Sequence, residues 1–366
     1  MVKKIAIVFG TRPEIIKLAE LINILKKKKG VRTKLVFTGQ HYDYSLFGVF
    51  MRELRLPKIG VNLGISGGTN EYQVREMLRR LLELFSEEKP DIVAAQGDTN
   101  SVAAGALAAF FSGTAFAHVE AGLRSFDNRM PEEANRILAD TLSDFAFAPT
   151  KTAVRNLRAS ECGRESIFLT GNTIVEAVKR NLKKSAKSRI IEKLGLHREQ
   201  YALLTAHRQE YVDSKKSLLQ LLSAIPQIKT TVVFPVHPRT VKNLKRFGLW
   251  KKTLAVKNLR MVKPLGYFDF LRLASESMFI MSDSGGIQEE ASVYKKFVIV
   301  LRDSTERPEI LGKFGVLTGY NAKKIAKEGN RAIKDCLKIK KRLKKLESPF
   351  GDGRASERIA KILAGR

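Results

Sequence analysis

KKIAIVFGTRPEIIKLAELINILKKK, residues 3–28, decides the fold. Residues 5–9 are a continuous apolar run of strand length, Gly10 permits a tight turn, and Pro13 suits the first position of a helix. From Glu14 to Lys28 the apolar residues recur at helical spacing. A strand that is apolar on both faces and runs directly into a helix belongs to a parallel sheet covered by helices on both sides.

The same alternation fills the 366-residue chain. Runs at 5–9, 33–39, 91–98, 115–120, 144–150 and 167–172 form one series of strands, and runs at 201–207, 230–237, 259–265, 278–284, 297–303 and 315–319 a second. Helical patterns include 14–28, 71–87, 101–111, 131–142, 215–224 and 286–294. With right-handed crossovers this predicts an α/β protein of two Rossmann-like, doubly wound parallel-sheet domains, six strands each. A lysine-rich polar segment, NLKKSAKSRIIEKLG (181–195), separates the two series. Ligands of such sheets bind beyond the carboxyl ends of the strands, so the expected site is a central cleft that both domains face.

Composition narrows the class. Hydrophobic residues at 44% and charged residues at 28% are those of a globular chain, not a disordered one. Cys162 and Cys336 lie outside any C-x-x-C pair; they exclude a disulfide framework and fit a reducing cytosol. The uncharged stretch 99–119 is rich in Ala, Gly, Ser and Thr and breaks at 112–114. It reads as a buried helix and a strand, not a membrane span, and the N-terminus is too short in apolar residues for a signal peptide. Lys and Arg number 66 against 37 Asp and Glu, a net charge of +29. Neither a nucleic-acid module nor interleaved aromatics accompany that charge. The expectation is a solvated basic surface that draws in an anionic substrate, with nucleic acid set aside as partner.

Several motifs stand where strands end. Arg12 sits at a helix N-terminus, which suits an anion as well as it suits a capped helix with a surface arginine. Ser284, Gly285 and Gly286 open a helix after a strand and form the best phosphate cradle in the chain, though neither a Walker loop nor G-x-G-x-x-G; simple capping is the competing reading. Glu290, further along that helix, is placed to take ribose hydroxyls. Asp98, Glu120 and Glu132 follow strands or open a helix in the first half, and an acid cluster of this kind suits acid–base work. Arg136 is the i+4 neighbour of Glu132. His207 and His237, beside Arg208 and Arg239, end strands of the second half, and 302–309 (RDSTERPE) adds Arg302 and Arg307 for anion positioning. The histidines His41, His118, His197, His207 and His237 have no metal-ligand spacing, so no metal is expected.

Taken together, GTRPEIIK (10–17), GQH (39–41), QGDTNS (96–101), HVEAGLRS (118–125), PEEANR (131–136), GNTIVEA (171–177), TAHR (205–208), VHPR (236–239), DSGGIQEEA (283–291), STERPE (304–309) and PFGDG (349–353) resemble the UDP-N-acetylglucosamine 2-epimerases, in family order from end to end. The resemblance implies a GT-B-like pair of domains, 1–172 carrying the acid–base residues and 173–350 binding UDP, with 351–366 a helix packing back on the first. It implies a cytoplasmic homodimer that interconverts UDP-GlcNAc and UDP-ManNAc without a cofactor, by elimination of UDP to a 2-acetamidoglucal and re-addition. Carried over by position, Asp98, Glu120 and Glu132 are the working carboxylates, His207 assists at the departing phosphate, Arg136 supports Glu132, and Lys17 matches an active-site lysine. Arg12, His237, Ser284, Gly285, Gly286 and Arg307 hold the diphosphate end, Glu290 the ribose, and Tyr267 with Phe268 frames the uracil. Which carboxylate takes the C2 proton stays open.

The chain also departs from the family. It reads GQHYDYSLFG where many bacterial members carry a Met-containing pattern tied to a second, regulatory substrate site. The loop 125–130 is short, and Gln209 and Tyr211 replace an Arg and an Asn. These positions bear on loop closure, so a hydrolysing epimerase that releases ManNAc and UDP is the alternative. A GT-B glycosyltransferase and a basic nucleic-acid-binding protein are the other readings.

Overall fold

The computed structural model describes residues 2–40, 51, 54–160 and 166–365, with the side chains of Gln209 and Glu210 left aside; His41 of the GQH motif and Cys162 lie outside the described residues. The chain divides into two compact units, Met1–Ala177 with Phe350–Arg366, and Val178–Pro349.

The first unit is built on strands β1 (Lys3–Phe9), β2 (Val31–Phe37), β3 (Val61–Asn62), β4 (Ile92–Gln96), β5 (Ala115–Val119), β6 (Phe145–Ala148) and β7 (Ile167–Leu169). They pair in the order β3-β2-β1-β4-β5-β6-β7, all parallel. Alternation along β1 explains the two cores. Ile5, Ile7 and Phe9 pack with Ile15, Leu18 and Ile22 of the helix Arg12–Lys27 and with Ile359, Ala360 and Leu363 of the helix Ala355–Gly365. Ala6 and Val8 turn to the other face, against Met77, Leu81 and Phe85 of the helix Asn70–Glu88 and Val102, Ala104 and Ala108 of the helix Asn100–Phe111. Fully burying each large aliphatic side chain is worth about 1.5–3 kcal/mol, which is why the strand must be apolar on both faces.

The second unit holds β8 (Tyr201–Thr205), β9 (Thr231–Pro235), β10 (Leu259–Val262), β11 (Phe279–Ser282), β12 (Phe297–Val300) and β13 (Gly315–Leu317), ordered β10-β9-β8-β11-β12-β13 and again parallel. The doubly wound α/β expectation holds for both sheets. One count does not: six strands were expected in the first sheet and it has seven. The extra strand, β3, is two residues long and pairs Val61 and Asn62 with Val36 and Phe37, too short a segment to show periodicity. Among the described residues no helix is long and apolar enough to cross a membrane.

In both sheets the strand order reverses once, between β1 and β4 and between β8 and β11. The carboxyl ends beside such a reversal are where loops diverge and a ligand finds room. Those ends carry Gly10–Arg12 and Gly97–Asp98 in the first unit, and His207–Arg208 and Asp283–Gly286 in the second.

Candidate active site

In the first unit the chain leaves β1 through Gly10, and the packing shows why no side chain fits there. A Cβ would lie 2.2 Å from the Ser101 hydroxyl and 2.3 Å from that of Thr38. Arg12 follows, exposed on the first turn of its helix, and Lys17 lies one turn further, 5% exposed. The Lys17 Nζ is 2.5 Å from Oε2 of Glu120, the residue that directly follows β5. The same oxygen accepts from Gln96 Nε2 at 3.0 Å and Asn172 Nδ2 at 3.1 Å. Four segments distant in sequence thus converge on one buried carboxylate. Glu120 has φ +75°, a left-handed conformation that a side chain with a Cβ adopts only when its surroundings impose it.

Asp98 follows Gly97, whose φ of +88° turns the chain out of β4. Its side chain is 27% exposed and its carboxylate is paired with the buried Arg136. A second carboxylate, Glu133, holds Arg136 at 2.8 Å. Glu133 also accepts from the Ser125 N–H, the Ser125 hydroxyl and the Phe126 N–H, each at 3.0 Å. Burial would raise its pKa, but those N–H groups and Arg136 outweigh burial and hold it below the ordinary carboxylate range. Arg136 was expected to support Glu132; the structure pairs it with Asp98 and Glu133. Glu132 is half-buried on the first turn of the helix Pro131–Thr141. Behind this layer the fully buried His118 spans Asp140 Oδ1 at 2.6 Å and the Gly97 carbonyl at 2.8 Å, so β5 braces the turn that bears Asp98.

In the second unit Asp283, fully buried after β11, accepts the N–H groups of His207 and Arg208 at 2.7 Å each, and its other oxygen lies 3.4 Å from His207 Nδ1. The rings of His207 and His237 are 5.7 Å apart. His237 Nδ1 accepts the Arg239 N–H at 3.2 Å, capping the helix Pro238–Arg246.

Ser284 precedes the helix Gly285–Tyr294, and its hydroxyl makes no capping bond, so simple capping does not account for it. Gly285 is forced: a Cβ would sit 2.7 Å from Glu306 Oε1 and 2.9 Å from Arg307 Nη1. Gly286 is not, since its Cβ would meet only the Ser284 hydroxyl at 3.9 Å. Arg307 is 4% exposed, paired with Glu306 at 2.6 Å and Glu289 at 2.7 Å, while Arg302 pairs with Glu306 at 2.6 Å and Arg208 lies 3.3 Å from it. Arg307 is therefore part of the support beneath the Ser-Gly-Gly turn. Glu290 accepts from the Tyr294 hydroxyl. Tyr267 is buried, with burial pushing its hydroxyl pKa up, and its ring lies 5.7 Å from that of the half-buried Phe268 at the start of the helix Tyr267–Ser275.

The sequence profile of the UDP-N-acetylglucosamine 2-epimerases matches residues 23–364. The chain belongs to the UDP-N-acetylglucosamine 2-epimerase family. A UDP-N-acetylglucosamine 2-epimerase of Methanocaldococcus jannaschii is 42% identical over 98% of both chains. A crystal structure of the M. jannaschii UDP-GlcNAc 2-epimerase in complex with UDP-GlcNAc and UDP superposes with a TM-score of 0.90 at 41% identity, covering 99% of this chain and all of that one. The Neisseria meningitidis UDP-GlcNAc 2-epimerase bound to UDP-GlcNAc gives 0.89 at 31% identity over 99% of this chain and all of that one. Membership of this family bears out the expected resemblance and the GT-B-like fold, and makes the chain an epimerase acting on a nucleotide sugar.

The epimerase motifs contain residues whose work the sequence left unassigned. Gln96, Glu133, Asn172 and Asp283 all lie inside the quoted motifs, but a motif does not say which of its polar residues faces which partner. Their signal was position alone: each ends or directly follows a strand, or opens a helix, beside a residue that had been singled out.

Proposed function

We propose that the chain interconverts UDP-GlcNAc and UDP-ManNAc by the non-hydrolysing route, as a cytosolic homodimer. The C2 proton of the sugar is not adjacent to a carbonyl, so direct abstraction is very difficult. Breaking the C1–O bond sends the electron pair to UDP and makes C1 oxocarbenium-like, which acidifies C2–H. A base then takes that proton, leaving a 2-acetamidoglucal. Protonation of C2 from the opposite face and return of the UDP oxygen to C1 complete the inversion. Two acid–base groups are needed, one for each face, and no redox step.

The observation that supports this reading is the set of acids at the strand ends of the first unit: Glu120 compensated by Lys17, Asp98 compensated by Arg136, and Glu132 between exposure and burial. Three carboxyl groups in three different settings are the material for separate acid, base and cation-stabilising roles. Arg12, the Ser284–Gly286 turn, His207 and His237 are the groups we assign to the diphosphate, Glu290 to the ribose, and Tyr267 with Phe268 to the uracil. Arg307 acts through the turn above it.

Turnover of UDP-GlcNAc in D2O, followed by proton NMR, tests the proposal. The expected product is UDP-ManNAc carrying deuterium at C2. Free ManNAc with UDP favours the hydrolysing alternative, and a product that keeps its C2 protium sinks the elimination route.

A further inference from the structure

Glu14 is a buried acid at the site that the chemistry above leaves without work. It lies on the first turn of the helix Arg12–Lys27 and is 2% exposed. Its Oε2 accepts the Gly10 N–H at 3.1 Å and its Oε1 accepts the Thr99 hydroxyl at 2.9 Å. Gly10 and Thr11 form the turn that presents Arg12. Thr99 directly follows Asp98 in the turn after β4. One carboxylate therefore joins the two turns that flank the reversal of the sheet. The charged neighbours in sequence are Arg12 and Lys17 on its own helix and Asp98 on the β4 turn. From the β2 turn and the helix Asn100–Phe111, the uncharged Thr38, Gln40 and Ser101 lie nearest Gly10 among the described residues.

We propose that Glu14 is a positioning residue for the reaction, holding the Arg12 turn and the Asp98 turn in register through its bridge from Gly10 to Thr99. The inference rests on the function proposed above. Burial pushes its carboxyl up to about 7 against the opposing hydrogen bonds from Thr11, Gly10 and Thr99. The bridge spans the two turns in either protonation state, because the neutral acid keeps one oxygen to accept the Gly10 N–H and can donate its proton to the Thr99 hydroxyl oxygen. Folding raises this pKa, so its stabilising contribution is fully present below about 4.5 and is lost as pH rises through about 7.

Glu14→Ala, which removes both oxygens, and Glu14→Gln, which keeps an oxygen for the Gly10 N–H and an amide N–H for the Thr99 hydroxyl, are to be compared with the wild type in kcat, KM for UDP-GlcNAc and Tm. Glu14→Ala is expected to lose about 10-fold or more in kcat with KM little changed, the scale of a modest misplacement of reacting groups, and Glu14→Gln to recover most of that loss. Wild-type kcat/KM in Glu14→Ala overturns the proposal, as does a Glu14→Gln that melts like the wild type yet has lost its kcat. If the wild type binds UDP but forms no epimer, the proposed function fails, and Glu14 is judged on UDP affinity instead. Glu14→Ala should then bind UDP more weakly than Glu14→Gln, and equal affinity in the two overturns the proposal.

Discussion

Lys17 and Glu120 are 103 positions apart and meet at 2.5 Å, so the most informative contact of the first unit joins two motifs that the sequence presents separately. Glu120 was legible as a candidate because it stands at a strand end, and Lys17 because the family resemblance carries an active-site lysine to its position. That Gln96 and Asn172 complete the same cluster was not legible, since hydrogen-bond partners depend on strand order and sequence does not print it. Asp98→Asn, Glu120→Gln and Glu132→Gln should each lower turnover at least ~100-fold, the ordinary scale for a positioned acid or base. Near-normal rates in all three would remove the carboxylates from the reaction. The two glycines of the second unit separate packing from binding. Gly285→Ala drives a methyl into the buried Glu306–Arg307 pair, so melting temperature and UDP affinity should fall together, by roughly 1–3 kcal/mol for an overpacked site. Gly286→Ala meets nothing closer than 3.9 Å and replaces a helical glycine, so it should hold or raise stability by up to about 1 kcal/mol. If a diphosphate lies against that turn, the same methyl weakens UDP binding about 10-fold or more, read by titration calorimetry; unchanged affinity would place the diphosphate elsewhere.

Among the elements, the helix Ala355–Gly365 returns from the end of the chain to close the core of the first unit. Its fixings are specific: the Asn172 N–H donates to the Phe350 carbonyl at 2.8 Å, and Glu176 accepts the Ser356 N–H at 3.0 Å together with its hydroxyl. Glu176 is 8% exposed, and burial pushes its carboxyl up to about 7 despite those bonds. Its folded pKa lies above its unfolded one, so its contribution to stability is complete below about 4.5 and is lost as pH rises through about 7. Melting temperature should therefore decline between those values, and Glu176→Gln should flatten the decline by at most ~3 kcal/mol. Thermal melts of the two proteins at matched ionic strength decide it, and identical slopes would show that Glu176 titrates as if exposed. The helices read at 14–28, 71–87, 101–111, 131–142, 215–224 and 286–294 and twelve of the strands were legible because their apolar patterns run for several residues, whereas the nine-residue helices Pro238–Arg246 and Tyr267–Ser275 were not singled out. β3 has two residues and no pattern, and strand ends at Gly39 and Gly97 were read too far because a glycine at φ +88° stops a strand without changing its hydrophobicity.

For the whole molecule the excess of positive charge is the property that no single site explains. The chain carries +29, and residues 323–345 hold eleven Lys and Arg against two acids. That segment folds as the helices Ala322–Lys334 and Cys336–Lys345, whose apolar residues Ile325, Ala332 and Leu343 are buried, so helical periodicity turns their lysines outward. Charge of this kind says nothing about fold; it acts on encounter. A substrate carrying a diphosphate approaches a field of opposite sign, and added salt screens that field within a Debye length of about 8 Å at physiological ionic strength. The buried pairs of the proposed site, such as Lys17–Glu120 and the supporting Arg136–Glu133, are reached by salt far less. Raising NaCl should therefore lower kcat/KM for UDP-GlcNAc several-fold while leaving kcat nearly constant, as steady-state kinetics over a salt series would show. A kcat that falls in parallel would mean that salt disturbs the site itself, and a flat kcat/KM would mean that the surface charge has no part in capturing substrate.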